Sequence, residues 1–101
     1  MKIAIATIDK KENSEITNKG GRAPYYLVFD ENKKLLEVIK NPFAIGGGGA
    51  GIAVAKMLAD KGVDIVIAGS FGPNMEEALK DRGLKFEEKT GNAKEIIEEM
   101  V

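Results

Sequence analysis

A run of glycines over residues 46–51 opens a predicted helix and is the first candidate for ligand chemistry. Glycine lets a ligand approach backbone amides closely, and a helix N-terminus adds N–H donors with a partial positive charge. The candidate anion-binding residues of this run are Gly47, Gly48, Gly49 and Gly51. No Lys-Ser or Lys-Thr pair follows the last glycine, so the P-loop pattern is not met, and a plain connecting loop is the competing interpretation.

A second glycine-bearing segment, residues 69–74, follows a predicted buried strand and opens another helix. In open α/β sheets, ligands bind beyond the carboxyl ends of the strands, where the direction of the connections reverses. The candidates here are Gly72 and two neutral hydrogen-bonding side chains, Ser70 and Asn74. For Gly72 and Pro73 taken individually, a tight turn before the helix is the favoured interpretation.

A third candidate segment lies in the long polar loop over residues 8–23, where Lys19 and Arg22 flank two glycines. An arginine makes bidentate contacts to anions, and a lysine supplies a point charge. A pair of solvated surface charges is the alternative interpretation. A loop of this length without regular structure is more often functional than not, so Lys19 and Arg22 complete the predicted anion site.

The chain contains neither histidine nor cysteine, which removes most catalytic and metal-binding chemistry. The usual general base at neutral pH is missing, and so are the thiolate and imidazole ligands of soft metals. The carboxylates nearest to strands, Asp9, Asp30 and Asp64, are not expected to converge on one point. We therefore predict no catalytic residue and no metal ligand, and a hydrolase is the least favoured function.

Length and charge indicate a single domain over residues 1–101 that does not bind nucleic acid or membranes. The net charge is −1, and no block of like charge stands out. No segment reads as a signal peptide or a membrane span, so a cytoplasmic location is expected. The abundance of lysine and glutamate is a pattern often seen in thermophiles.

The elements that must position these loops follow the order β-β-β-α-β-α-β-α. Strands over residues 2–7 and 63–68 are apolar on both faces, which is typical of the middle of a covered sheet. Residues 24–29 and 35–39 form a hairpin, and residues 84–87 form a charged edge strand. Helices are predicted over residues 52–61, from Pro73 to the glycine at 83, and after Asn92. The predicted fold is a mixed five-stranded α/β sheet covered by helices.

Four segments together resemble a known family, although each alone is a weak signal. They cover residues 21–26, 48–52, 60–64 and 68–74. Their order and spacing are similar to those of the dinitrogenase iron–molybdenum cofactor biosynthesis family of nitrogenase accessory proteins, from Lys2 to about Met100. The resemblance implies a ribonuclease-H-like three-layer fold. It also implies a non-enzymatic role in binding or carrying the iron–molybdenum cofactor or its iron–sulfur precursor.

Two positions depart from the family pattern and bear on how such a cargo would be held. Lys19 stands where members often have histidine, and Ser70 stands in the loop where some members have cysteine. Since lysine and serine are poor ligands for soft iron–sulfur sites, we expect an anionic cluster or small anion to be held through Lys19, Arg22 and backbone amides. The alternative function is a protein-interaction module whose apolar helix over residues 50–61 pairs with a partner or with itself.

Overall fold

The computed structural model describes residues 1–45 and 48–100 and has the predicted order of elements. Gly47, one of the predicted anion-binding glycines, lies outside the described residues. Within the long first loop, a short 3-10 turn forms where the sequence predicts only irregular chain. The elements are β1 (Lys2–Thr7), the 3-10 turn (Gly20–Arg22), β2 (Tyr25–Asp30), β3 (Leu35–Lys40), α1 (Ala50–Asp60), β4 (Ile65–Ala68), α2 (Pro73–Asp81), β5 (Lys85–Glu88) and α3 (Ala93–Met100).

The five strands form one mixed sheet in the order β3-β2-β1-β4-β5. The hairpin lies on one side, with β1 antiparallel to β2 and β2 antiparallel to β3. On the other side β1 is parallel to β4, and β4 is parallel to β5. The connections therefore change side between β1 and β4, whose carboxyl ends share one edge of the sheet.

The central strand β1 is buried on both faces, as its apolar pattern predicts. Ala4 and Ala6 belong to one core cluster, together with buried residues of α1 and α2. Ile3 and Ile5 belong to the other core cluster, which α3 covers. The small alanine side chains let two helices pack closely on their face of the sheet. The ribonuclease-H-like arrangement of three layers is thus confirmed.

The ends of the elements differ from the predictions by one or two residues in most cases. The strand predicted from position 63 begins at Ile65, because the N–H of Val63 donates to the carbonyl of Leu58 at 3.1 Å and ends α1 instead. Gly62 permits this ending through its φ of +77°. At its other end α1 begins at Ala50, two residues before the prediction. No helix among the described residues is long and apolar enough to cross a membrane.

Candidate functional site

The three glycine-bearing segments meet around one cleft of about 400 Å³, here called the rim cleft. Seven of the nine predicted binding residues line it. Gly48 lies beside it, in a neighbouring depression with Pro42 and Phe43. The structure therefore brings the segments together, while their binding of a ligand stays a prediction. The lining residues are Lys19, Gly20, Gly21, Arg22, Gly49, Ala50, Gly51, Ser70, Phe71, Gly72, Pro73, Asn74 and Met75.

The loop that carries Lys19 is attached to the loop after β4 by backbone pairing. Lys19 and Ser70 form an isolated parallel bridge, and the N–H of Gly20 donates to the carbonyl of Ser70 at 3.0 Å. The Ser70 hydroxyl donates to the carbonyl of Asn18 at 2.6 Å. Because this donor is already used, Ser70 positions the Lys19 loop and does not offer its hydroxyl hydrogen to a ligand.

The 3-10 turn rests on the buried side chain of Tyr26. The Tyr26 hydroxyl donates to the carbonyl of Gly20 at 2.6 Å, and Tyr26 has no exposed surface. Burial raises the pKa of Tyr26 far above its ordinary value, because the phenolate would lose its hydration. Tyr26 therefore remains a neutral donor that fixes one end of the turn.

The other end of the turn is held by Asn41, which follows β3 and is 4% exposed. Its Nδ2 donates to the carbonyls of Ala23 at 2.9 Å and Gly21 at 3.3 Å. Its Oδ1 accepts a hydrogen bond from the N–H of Phe43 at 2.9 Å. A single side chain thus joins the turn that carries Arg22 to the chain leaving β3.

Glycines at the contact points allow the three segments to approach one another closely. A Cβ added at Gly21 would come within 3.2 Å of the backbone of Gly51. A Cβ added at Gly51 would come within 2.8 Å of the Cβ of Met75. The 3-10 turn, α1 and α2 are therefore in near-contact at the cleft, which only glycine at these positions permits.

The polar part of the cleft favours negative charge. Lys19 and Arg22 are the charged residues among the described lining residues, and both are exposed. The helices α1 and α2 begin beside them after Gly49 and Gly72, which have no side chain to cap the first-turn amides. The carboxylate of Glu88 accepts from the N–H of Phe71 at 3.3 Å but does not line the cleft. The local field and the N–H donors suit an anion.

The floor of the cleft is apolar and buried. Met75 is 2% exposed and Phe71 is 8% exposed. The ring of Phe71 packs edge-on against Phe86 with 5.2 Å between the centroids. A ligand in the cleft would meet donors and positive charge at the rim and a sulfur and aromatic surface at the base.

Inner-sphere metal binding has no support in the part of the chain that the structure describes. It contains no group of three or more carboxylate, histidine or cysteine side chains placed to hold a metal ion. Asp64 accepts from the N–H of Lys2 at 2.8 Å, at the start of β1, so it is remote from the cleft at the ends of β1 and β4. The described lining of the rim cleft therefore offers no thiolate or imidazole to a metal.

The sequence patterns did not indicate the residues that form the floor of the cleft and support its 3-10 turn. Phe71 and Met75 form its floor, and Tyr26 and Asn41 hold its 3-10 turn. Asn41 stands directly before a proline, at the end of the predicted hairpin. An asparagine beside proline often hydrogen-bonds nearby backbone, and that signal would have marked it.

The fold and the cleft define a small three-layer α/β domain with an anion-compatible depression at the carboxyl ends of its central strands. The chain belongs to the dinitrogenase iron–molybdenum cofactor family, whose model matches residues 1–101. No protein with a curated description matches this sequence.

Solved structures share this fold. A Thermotoga protein described as a candidate NifB protein is 32% identical, with a TM-score of 0.80 over 96% of this chain and 84% of its own. The apo form of the orange protein from Desulfovibrio gigas superposes with a TM-score of 0.89 at 24% identity, over 96% of this chain and 83% of its own. A candidate dinitrogenase from Methanocaldococcus jannaschii shares the fold at 15% identity, with a TM-score of 0.63 over 98% of this chain and 89% of its own.

Proposed function

We propose that this chain is a non-enzymatic carrier domain that holds a compact anion in the rim cleft. The observation that carries the proposal is the composition of the cleft, which joins Lys19, Arg22 and two uncapped helix N-termini and has no acidic residue among the lining residues that the structure describes. Family membership suggests the cargo, the iron–molybdenum cofactor or its iron–sulfur precursor. A volume of about 400 Å³ is within the range of small-ligand sites, about 300–1,000 Å³.

The residues present determine how such a cargo would be held. With neither cysteine nor histidine in the chain, the protein supplies no thiolate or imidazole to iron or molybdenum. The cargo must therefore arrive with its metal ions already coordinated by sulfide or other ligands of its own. The protein contributes charge from Lys19 and Arg22, amide donors from the first turns of α1 and α2, and contact with Met75 and Phe71.

Titration of the full chain tests this proposal. The probes are a synthetic thiolate-ligated [4Fe–4S] dianion and molybdate, followed by calorimetry and by amide chemical shifts. We expect shifts concentrated in residues 19–22, 49–51 and 70–75, and affinity that falls as salt is added. Shifts that are absent or that lie at the opposite end of the sheet would contradict the proposal.

Variants that remove positive charges distinguish binding in the rim cleft from attraction to the overall charge of the protein. The double change Lys19→Ala and Arg22→Ala should weaken binding by about tenfold or more, since hydrogen bonds to charged groups contribute about 1.5–3 kcal/mol. The double change Lys34→Ala and Lys85→Ala is the matched control, because it also removes two positive charges and both lysines are exposed away from the cleft, Lys34 before β3 and Lys85 at the start of β5. Equal losses in the two variants would show that binding follows net charge and not the cleft.

A second candidate function, docking of a partner protein on α1, rests on one observation. Ile52 on α1 is 46% exposed, and Ile45 in the preceding turn is 94% exposed. Large exposed apolar side chains beside a ligand cleft are typical of interaction surfaces. The variant Ile52→Gln removes the apolar side chain without adding charge beside the cleft. It should abolish binding of such a partner and leave the anion titration unchanged, which distinguishes this function from the carrier role.

A further inference from the structure

The two edges of the sheet are protected to different degrees. β5 carries charged, exposed side chains at Lys85, Glu87 and Glu88, which discourage pairing with another strand. β3 instead exposes two large apolar side chains, Leu36 at 45% and Val38 at 40%. The edge formed by β3 is therefore the one suited to pairing with another strand.

The hydrogen bonds of the hairpin show which backbone groups of β3 point away from the sheet. The N–H of Asn41 donates to the carbonyl of Pro24 at 3.0 Å, so Asn41 faces β2. Inward and outward residues alternate along an antiparallel strand, so Ile39 and Glu37 also face β2. The N–H and C=O groups of Val38 and Lys40 consequently point outward.

We propose that β3 pairs antiparallel with β3 of a second copy of this chain, about a two-fold axis through Val38, and joins the two sheets into one. The length of β3 that is free to pair supports Val38 as the centre of the two-fold pairing. A register shift at the Leu35 end and the proline at position 42 leave residues 36–40 as the pairing segment. Val38 is the middle residue of that segment.

Hydrogen-bond geometry agrees with this register. The Val38 residues of the two copies exchange both of their outward hydrogen bonds, and each Lys40 N–H meets the Leu36 carbonyl of the other copy. A shift by one residue in each copy toward Ile39 would set Leu36 against Pro42, which has no N–H. The backbone thus favours Val38 over Ile39 as the centre.

Electrostatic repulsion disfavours the opposite shift, which would move the centre of the pairing from Val38 to Glu37. Centring the pair on Glu37 would place the two Glu37 carboxylates directly opposite each other, which is destabilising. With Val38 at the centre, Glu37 lies opposite Ile39 and keeps its ion pair with Lys61, at 2.6 Å. Lys40 then lies across from Leu36, where its aliphatic stem covers the apolar side chain.

The two-fold arrangement leaves both rim clefts open. β3 runs parallel to β1, since each is antiparallel to β2, so the cleft lies at the Lys40 end of β3. The axis turns the second copy end to end and places its cleft at the opposite end of the joined sheet. Pairing through one short strand buries a small area, so we expect a dissociation constant of about 0.1–1 mM.

Self-association of the full chain is measured by light scattering and by translational diffusion in NMR, from about 20 μM to about 1 mM protein. Val38→Lys places like charges opposite each other at the axis and should reduce dimer formation at least tenfold. Ile52→Lys, a matched change on α1, should leave it unchanged. A strict monomer at 1 mM, or a dimer lost in Ile52→Lys and kept in Val38→Lys, would overturn the proposal.

The register is tested in a sample that mixes isotope-labelled and unlabelled copies. Glu37 and Ile39 face each other as a non-hydrogen-bonded pair, where the α-hydrogens of antiparallel strands are close. We expect an intermolecular Hα–Hα contact between Glu37 and Ile39. An intermolecular contact from β5, or between the two Ile39 residues, would overturn the β3 pairing centred on Val38.

Discussion

Gly51 in α1 lies against Met75 in α2, so closely that a Cβ added to Gly51 would fall 2.8 Å from the Met75 Cβ. This contact sets the separation of the two helix N-termini that line the rim cleft. Met75 is 2% exposed and has little room to withdraw. The missing side chain at position 51 is therefore a packing requirement of the cleft.

Gly51→Ala should lower the free energy of unfolding by about 1–3 kcal/mol, because the added methyl group overpacks the close, buried contact with Met75. Gly48→Ala is the matched control, since a Cβ at Gly48 would meet nothing within 4 Å. We expect the control to be neutral or to gain up to about 1 kcal/mol from reduced unfolded-state entropy. Urea unfolding of both variants measures the difference, and equal effects would show that the helices separate without cost.

Tyr26→Phe should destabilise the domain by about 1–3 kcal/mol, because the buried carbonyl of Gly20 loses its 2.6 Å hydrogen bond from the phenol. Faster amide hydrogen exchange should be confined to the 3-10 turn and the neighbouring cleft residues. Tyr25→Phe, on the partly exposed neighbour, is the control for removal of a hydroxyl. If the two variants are equally stable, the Tyr26 hydrogen bond does not hold the turn.

The same hydroxyl predicts how stability changes in alkali. Burial raises the pKa of Tyr26 in the folded state, whereas the unfolded chain ionises at about 10. The contribution of Tyr26 is therefore fully present below about pH 10 and is lost as the pH rises above it, by about 1.4 kcal/mol per pH unit.

The Tyr25→Phe variant lets this be observed directly, because Tyr26 is then the chain's remaining tyrosine. Its tyrosinate absorbance should appear together with the loss of circular dichroism, as ionisation requires unfolding. Tyrosinate that forms at pH 10 while the circular dichroism is still native would contradict the assigned burial.

The fold could be predicted because local and global patterns agree. The alternation of alanine and isoleucine in β1 matches the two core clusters on its faces. The helix predicted after Asn92 is confirmed as α3. The N–H of Glu95 donates to Asn92 Oδ1 at 2.9 Å, and Asn92 Nδ2 donates to the Glu95 carboxylate at 2.8 Å. Element ends were less accurate, since the last turn of a helix and the first residue of a strand depend on tertiary contacts such as that of Val63 with Leu58.

The site was predictable only in part. Glycine runs and strand order indicated which loops meet, because the carboxyl ends of β1 and β4 share one edge. The hydrogen-bond partner of a polar side chain was not predictable from its residue type. Ser70 was expected to serve a ligand, yet its hydroxyl hydrogen goes to Asn18. That outcome depends on how the two loops pair, a long-range contact that leaves no local sequence pattern.

Asn41 provides the last test of how the cleft is held together. Asn41→Ala should cost about 1–3 kcal/mol, because the buried Ala23 carbonyl loses its donor. Asn41→Asp preserves the acceptor for the N–H of Phe43 but turns a carboxylate toward the carbonyls of Gly21 and Ala23. At pH 7 we therefore expect the Asp variant to be at least as unstable as the Ala variant.

The two Asn41 variants should separate in acid. Repulsion from the carbonyls raises the folded-state pKa of the new carboxyl, so stability is regained as the pH falls and the protonated group can donate to Ala23. Urea unfolding at pH 4 and pH 7, each relative to the parent chain, should show a recovery for Asn41→Asp and none for Asn41→Ala. Asn32→Asp, in the exposed hairpin turn, is the control for an added surface charge. A recovery of the same size in Asn32→Asp would mean that the acid effect arises from net charge and not from the carbonyls at the 3-10 turn.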